Sequence, residues 1–314
     1  MEKKYSIFHI EGGLGKHVAA TAVAQCIKSN HSERELVVVC AYPELFLGLD
    51  FVDKVYRIGN TPYFYETYIK DVDSLIFKHE PYFTTEHIHK KLPLIENWCK
   101  LYQLEYNEET PILRFNRKQK QIGLNKWKRE RPIMVIQTNG GPLQEQPYNH
   151  SWTRDMPQEL AQSLVNHYQN DYHIIQICRN ENQILQGVEA HWGTMSNMEL
   201  FSLLLVSEKQ ILIDSCLQHA SAALGKSSTV LWVGTSPTTF GYELHSNIIA
   251  KLPQGYKLPD SYLFDYNFTG TAHECPIMEG DILFNINEII SSLTEHQDSF
   301  VNPYEINLPK LSLE

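Results

Sequence analysis

Residues 211–234 constrain this chain most, because they pass from strand to turn to helix and back to strand within one short stretch. A compact β-branched run ends at Ile213, as a strand buried on both faces of a parallel sheet does. Asp214 and Ser215 then supply N-cap chemistry. Leu217, Ala220, Ala223 and Leu224 recur at helical spacing, Gly225 stops the helix, and residues 228–234 resume an apolar strand. Such a unit leaves free amides at a helix N-terminus beyond the carboxyl edge of a sheet, where an anion is favoured by hydrogen bonds and by the helix dipole. Asp214, Ser215 and Cys216 frame that position, and His219 follows about one turn later.

The same alternation runs through the rest of the chain. Residues 5–10 predict a strand, 11–16 a glycine-rich turn and 18–27 an alanine-rich helix, the opening of a nucleotide-type fold. Further strands are predicted at 36–40, 54–58 and 74–77, and residues 61–106 are rich in aromatics that suit either a core or a substrate-facing subregion. A stretch crowded with Lys and Arg, 117–132, reads as a solvated linker. The division of the chain is therefore expected there, with domains at 1–125 and 126–284. Beyond it strands at 133–137, 173–178 and 210–213 alternate with helices at 157–169 and 197–206. Ile286, Ile289, Ile290 and Leu293 form an amphipathic pattern after the cap candidates Asn285 and Asn287. Residues 285–314 are expected to form a helix and tail that pack back on the N-terminal domain. A length of 314 residues suffices for two α/β domains, each with its own core.

The net charge of −10 argues against non-specific nucleic-acid binding, although the basic stretch keeps nucleic acid from being excluded. Six scattered cysteines without a Cys-x-x-Cys pair read as reduced thiols. No apolar run approaches the length of a membrane span, and the first residues lead straight into a strand, so a cytoplasmic location is expected.

Two clusters carry candidate chemistry. The loop Glu11-Gly-Gly-Leu-Gly-Lys16-His17 is neither a Walker A loop, since no Ser or Thr follows Lys16, nor Gly-x-Gly-x-x-Gly. Its Gly13 and Gly15 nevertheless let backbone approach a phosphate closely, with Lys16 beside them. His79-Glu80-Pro81-Tyr82 follows a predicted strand and so faces the same cleft; a histidine beside a carboxylate suits proton abstraction near neutral pH. Asp71 and Asp73 form an Asp-x-Asp pattern but precede a strand, and His87 with His89 lacks a third ligand, so no metal site is expected.

Asp-Ser-x-x-x-His-x-x-Ala-Ala-Leu-Gly over 214–225, followed by Val-Gly-Thr-Ser-Pro over 233–237, resembles the pattern of glycosyltransferase family 9, the heptosyltransferases. That resemblance implies a GT-B fold, two Rossmann-like domains facing across a cleft. It also implies a nucleotide-diphosphate sugar donor, an acceptor glycan or other hydroxyl compound, and metal-independent transfer without a cofactor. Cys216 stands where the family has glycine, and Lys16 where the family's loop carries the aspartate held to be the general base. The base must then come from His17, Glu11, His79 or Glu80, with His17 foremost because it follows the replaced position. The resemblance further assigns Thr138 and Asn139 to the diphosphate. His150 takes the place of a phosphate-binding lysine, with Arg154 as a replacement charge. Glu181 falls to the ribose and Met195 to the base. Two alternatives stay open: a non-catalytic nucleotide-sugar or glycan-binding module, and a nucleotide-sugar epimerase of the same architecture. The acceptor could also be a modified DNA base, and the oligomeric state is not encoded legibly.

Overall fold

The structure, a computed structural model, describes residues 3–140, 152–193, 195–253, 277–278 and 280–295. In the first half β1 (Lys4–Ile10), α1 (Leu14–Asn30), β2 (Glu35–Cys40), β3 (Lys54–Arg57), α2 (Phe64–Tyr68), β4 (Asp73–Phe77), α3 (Thr85–Ile88) and α4 (Leu94–Leu101) follow in order. The second half comprises α5 (Arg117–Lys126), β5 (Ile133–Gln137), α6 (Gln158–Tyr168), β6 (His173–Ile177), β7 (Glu189–His191), α7 (Asn197–Val206) and β8 (Lys209–Ile213). It continues with α8 (Cys216–Ala223), β9 (Thr229–Trp232), α9 (Pro237–Phe240), β10 (Ser246–Ile249) and α10 (Ile286–Glu295). All the strand pairs are parallel, and the sheets run β3-β2-β1-β4 and β10-β9-β8-β5-β6-β7. This is the α/β architecture of two parallel sheets that the alternating sequence pattern predicts.

Apolar runs form these strands because both faces are covered. Along β1, Tyr5 and Ile7 pack with Val37, Val39 and Tyr68, while Phe8 and Ile10 point the other way into a core with Val23 and Val38. That second core does not stop at the first sheet: it continues through α1 and α8 to Val135, Leu212 and Val230 of the second. The far face of the second sheet carries a separate cluster, where Ile211 and Ile213 meet Leu164, Ile289 and Leu293. In both sheets the strand order reverses beside the first strand, between β1 and β4 and between β5 and β8. Ligand crevices open at such switch points, outside the carboxyl ends of the strands.

Three expectations are corrected here. Helix α1 begins at Leu14, so Gly15, Lys16 and His17 lie in its first turn rather than in a loop. The basic stretch is not a linker: Asn116 and Gln119 close a capping box at the start of α5. Leu124 and Trp127 then bury an apolar face, and the Trp127 indole donates to Glu199 O and Ser202 Oγ of α7, both at 3.1 Å. Its charges occupy the exposed side of a docked helix. Finally, α10 does not return to the first domain. Ile289 and Leu293 enter the second sheet's core, α10 lies against β9, and the Lys209 ammonium donates to Leu293 O at 2.6 Å. Among the described residues no helix is long and apolar enough to cross a membrane.

Candidate functional site

The carboxyl edges of β1, β4, β5 and β8 gather most of the chemistry-bearing residues. The Ser215 hydroxyl caps α8 by accepting from Leu217 N at 3.2 Å, and it donates to Gln137 Oε1 at 2.7 Å, tying β8 to β5. Helix α1 starts from Gly13 without a side-chain cap, after a turn in which Gly12 adopts φ +96°. The two helices meet at their N-terminal ends. A Cβ at Gly15 would lie 3.1 Å from Cys216 Cα and 3.0 Å from the His219 ring, so glycine allows this approach without displacing either neighbour. Two helix N-termini converging on one cleft favour an anion there.

Asp214 is 4% exposed, and its Oδ2 has no hydrogen-bond partner; the nearest cation is Arg154, whose Nε stands 3.5 Å away. Burial raises the Asp214 pKa and Arg154 only partly opposes it. Opposite, the Lys16 ammonium is paired with the Glu80 carboxylate and lies 5.3 Å from the Tyr82 ring centroid and 5.6 Å from that of Trp98. Tyr82 is close enough to both pairs for their charges to act on it. Burial raises its pKa, and the charges of Glu80, Arg154 and Asp214 all bear on it.

His17 does not lie where a base is needed. Its ring is fully buried, with Nδ1 2.9 Å from Gly13 O and Nε2 3.2 Å from both Ala41 N and Ile10 O, and burial lowers its pKa. The early start of α1 turns it inward beneath the ends of β1 and β2. Glu11 is exposed, 3.7 Å from His9 Nδ1, and the exposed His79 offers Trp98 and Tyr102 its carbonyl. Glu80 is therefore the expected candidate that pairs with a lysine, Lys16 in the first turn of α1.

The other expected donor residues divide by what already holds them. Thr138 accepts from Gln176 Nε2 and donates to Asn139 Oδ1, both at 2.9 Å. Asn139 in turn donates to Asp155 at 3.0 Å. Arg179 grips both oxygens of Asp155 at 3.1 Å and also donates to Gly140 O, so the turn after β5 is braced from β6. Glu181 is exposed in the turn after β6, and Met195 packs against the core ahead of α7. His150 lies outside the described residues. The Cys216 thiol is pushed up to about 11 by burial. His219 is driven down to about 3 by burial, His245 and Arg154, and its Nδ1 sits 2.7 Å from Tyr242 OH. A neutral ring so engaged builds the seam between α1 and α8; it is poorly suited to meeting a phosphate.

Sequence reasoning gave no role to Asp155, Arg179 or Tyr242, and quoted Tyr82 only within the motif of residues 79–82. Arg179 and Tyr82 carried a readable signal, since each follows a predicted strand end. Tyr242 carried none, because its role depends on a helix 23 residues earlier in the chain.

Two parallel sheets with helices and such switch points form an α/β fold of the GT-B type. The chain is similar in structure to a family 9 glycosyl transferase from Veillonella parvula: TM-score 0.65, 10% identity, 95% of this chain and 98% of that one covered. It is similar also to the iron-containing dodecameric glycosyltransferase TibC of enterotoxigenic E. coli, with TM-score 0.65, 14% identity and coverage of 95% and 78%. A third neighbour is the E. coli ADP-heptose LPS heptosyltransferase II, with TM-score 0.57, 14% identity and coverage of 80% and 91%. No protein-family model matches the chain, and no curated protein matches it. Among the described residues no three His, Cys, Asp or Glu side chains group so as to hold a metal ion.

Proposed function

We propose that this chain is a glycosyltransferase moving a sugar from a nucleotide-diphosphate donor to an acceptor hydroxyl. The observation that supports this reading is the approach of the α1 and α8 N-terminal turns, with the Lys16–Glu80 and Arg154–Asp214 pairs both acting on Tyr82. In this reading Glu80 takes the acceptor proton, the acceptor oxygen bonds to the anomeric carbon, and the bond to the diphosphate breaks with its electron pair leaving on phosphate oxygen. Arg154 and the first-turn amides of α8 left uncapped by Ser215 take up that developing charge, which removes the need for a divalent metal. Asp214, buried with Oδ2 lacking a hydrogen bond, accepts from a donor-sugar hydroxyl. Glu181 and Met195 serve the ribose and the base.

The first donor to test is ADP-heptose, because the E. coli neighbour is an ADP-heptose heptosyltransferase. With a glycan acceptor, Glu80→Gln lowers turnover by about 10² to 10⁴ while donor affinity is retained. Unchanged turnover in Glu80→Gln together with collapse in Glu11→Gln moves the base to the loop. Turnover lost in chelator and restored by magnesium or manganese overturns metal independence. A second reading rests on the Lys16 ion pair, which occupies the Glu80 carboxylate: donor binding without release of nucleoside diphosphate, whatever the acceptor, would make the chain a binding module.

A further inference from the structure

Residues 110–129 contain no aspartate or glutamate, on a chain whose net charge is −10, and much of their positive charge faces water. In α5 the buried side belongs to Gly123 and Leu124, while Arg117, Lys118, Ile122 and Lys126 are exposed. Residues four apart share a helix face, so Lys118 and Lys126 stand one turn to either side of Ile122. The charges here are settled in two ways. Lys126 pairs with Glu199 at 2.8 Å and Arg129 with Glu189 at 2.7 Å, which ties the segment to α7 and β7. Arg114, Arg117, Lys118 and Lys128 are exposed, and among the described residues no salt bridge engages any of them.

A second, independent feature points to the partner. Ile122 is 51% exposed in the middle of this basic face, and Leu47 is 70% exposed. Leu47 adjoins the same surface, because a Cβ on the next residue, Gly48, would stand 3.3 Å from Arg114 Cβ. Aliphatic side chains held in water among unpaired cations suit an anionic lipid surface, where cations meet headgroup phosphates and aliphatic groups enter the acyl boundary. A nucleic acid calls instead for aromatic platforms or free amides that reach bases. Trp127, the aromatic ring at the end of this helix, is fully buried, and the Gln121 amide donates to Asn125 Oδ1 at 3.0 Å.

We infer that α5 and the loop at Leu47 form a docking surface for a membrane rich in anionic phospholipid, with Ile122 and Leu47 entering the headgroup boundary while Arg114, Arg117, Lys118 and Lys128 pair with phosphate. Docking is peripheral and salt-dependent. It goes beyond the proposed transfer reaction and uses none of the residues assigned to it.

Flotation of the full chain with vesicles of phosphatidylcholine and phosphatidylglycerol at physiological ionic strength tests it. Binding is expected to be at least about tenfold weaker on pure phosphatidylcholine and to disappear in high salt. The Arg117→Glu, Lys118→Glu double variant weakens it by about tenfold or more, and Ile122→Ser a few-fold. These side chains are exposed and the Asn116–Gln119 capping box is untouched, so the fold is retained. The Lys70→Glu, Lys91→Glu double variant makes the same change of net charge at exposed positions outside this surface and keeps most of the binding. No flotation, equal binding to neutral vesicles, wild-type binding in the Arg117/Lys118 variant or in Ile122→Ser, an equal loss in the Lys70/Lys91 variant, or release from the vesicles by duplex DNA at equal phosphate concentration each overturns the inference.

Discussion

Lys16 and Asp214 are both charged groups taken almost wholly out of water, and they are settled differently. Lys16 has a carboxylate and two aromatic faces, whereas Asp214 has a half-exposed arginine at 3.5 Å and one oxygen without a hydrogen bond. An ionised carboxylate kept in such a setting lowers stability. Its folded-state pKa is raised above the unfolded value of 3.8, so the folded state holds more protons than the unfolded state above that value. Stability is therefore lost as pH rises through the folded pKa. Asp214→Asn removes this penalty and should stabilise the protein at neutral pH by about 0.5–2 kcal/mol, an advantage that fades as pH falls from the raised folded pKa and is gone below 3.8, while weakening donor binding. Thermal melts of both proteins across pH check this; equal stability at pH 7 would mean that Arg154 already compensates the charge. At this scale the sequence exposed Asp214 and Ser215, because N-cap residues announce themselves locally. It misplaced His17, because whether a side chain in the first turn of a helix faces solvent or sheet depends on which residue starts that helix.

Among the elements, α1 and α8 matter most, since they carry the core from one sheet to the other and their contact hinges on Gly15. Gly15→Val inserts branched carbon where the Cys216 backbone and the His219 ring already stand at contact distance. It should cost about 1–3 kcal/mol and weaken nucleotide-sugar binding by parting the two N-termini. Urea unfolding and donor titration read both effects; wild-type stability with wild-type affinity would show that the helices can part freely. The elements themselves were legible where periodicity was strong, as in β1, β2, β5 and α7. The basic segment 117–132 was misread because charge density dominates a short window, whereas Asn116, Gln119, Leu124 and Trp127 reveal a capped, one-sided helix only when α7 is there to receive it.

For the whole molecule, the shared core predicts that both halves unfold together. Phe8 and Val23 on one side and Leu212 and Val230 on the other belong to one apolar cluster, and separating the sheets would expose it. Calorimetry should record a single transition whose calorimetric and van't Hoff enthalpies agree. Two resolved transitions would show that α1 and α8 join independent folding units. The sequence by itself determined the alternation of buried strands and helices, the parallel α/β class, and the polar turn at Asp214–Ser215, since these follow from local periodicity and capping. Only the tertiary structure decided that α10 stays with the second sheet, that Lys16 is sequestered by Glu80, Tyr82 and Trp98, and that His17 is a buried structural ring. Each depends on residues far apart in the chain, 64 positions between Lys16 and Glu80, brought together by helix phase and strand order. No local pattern encodes that proximity.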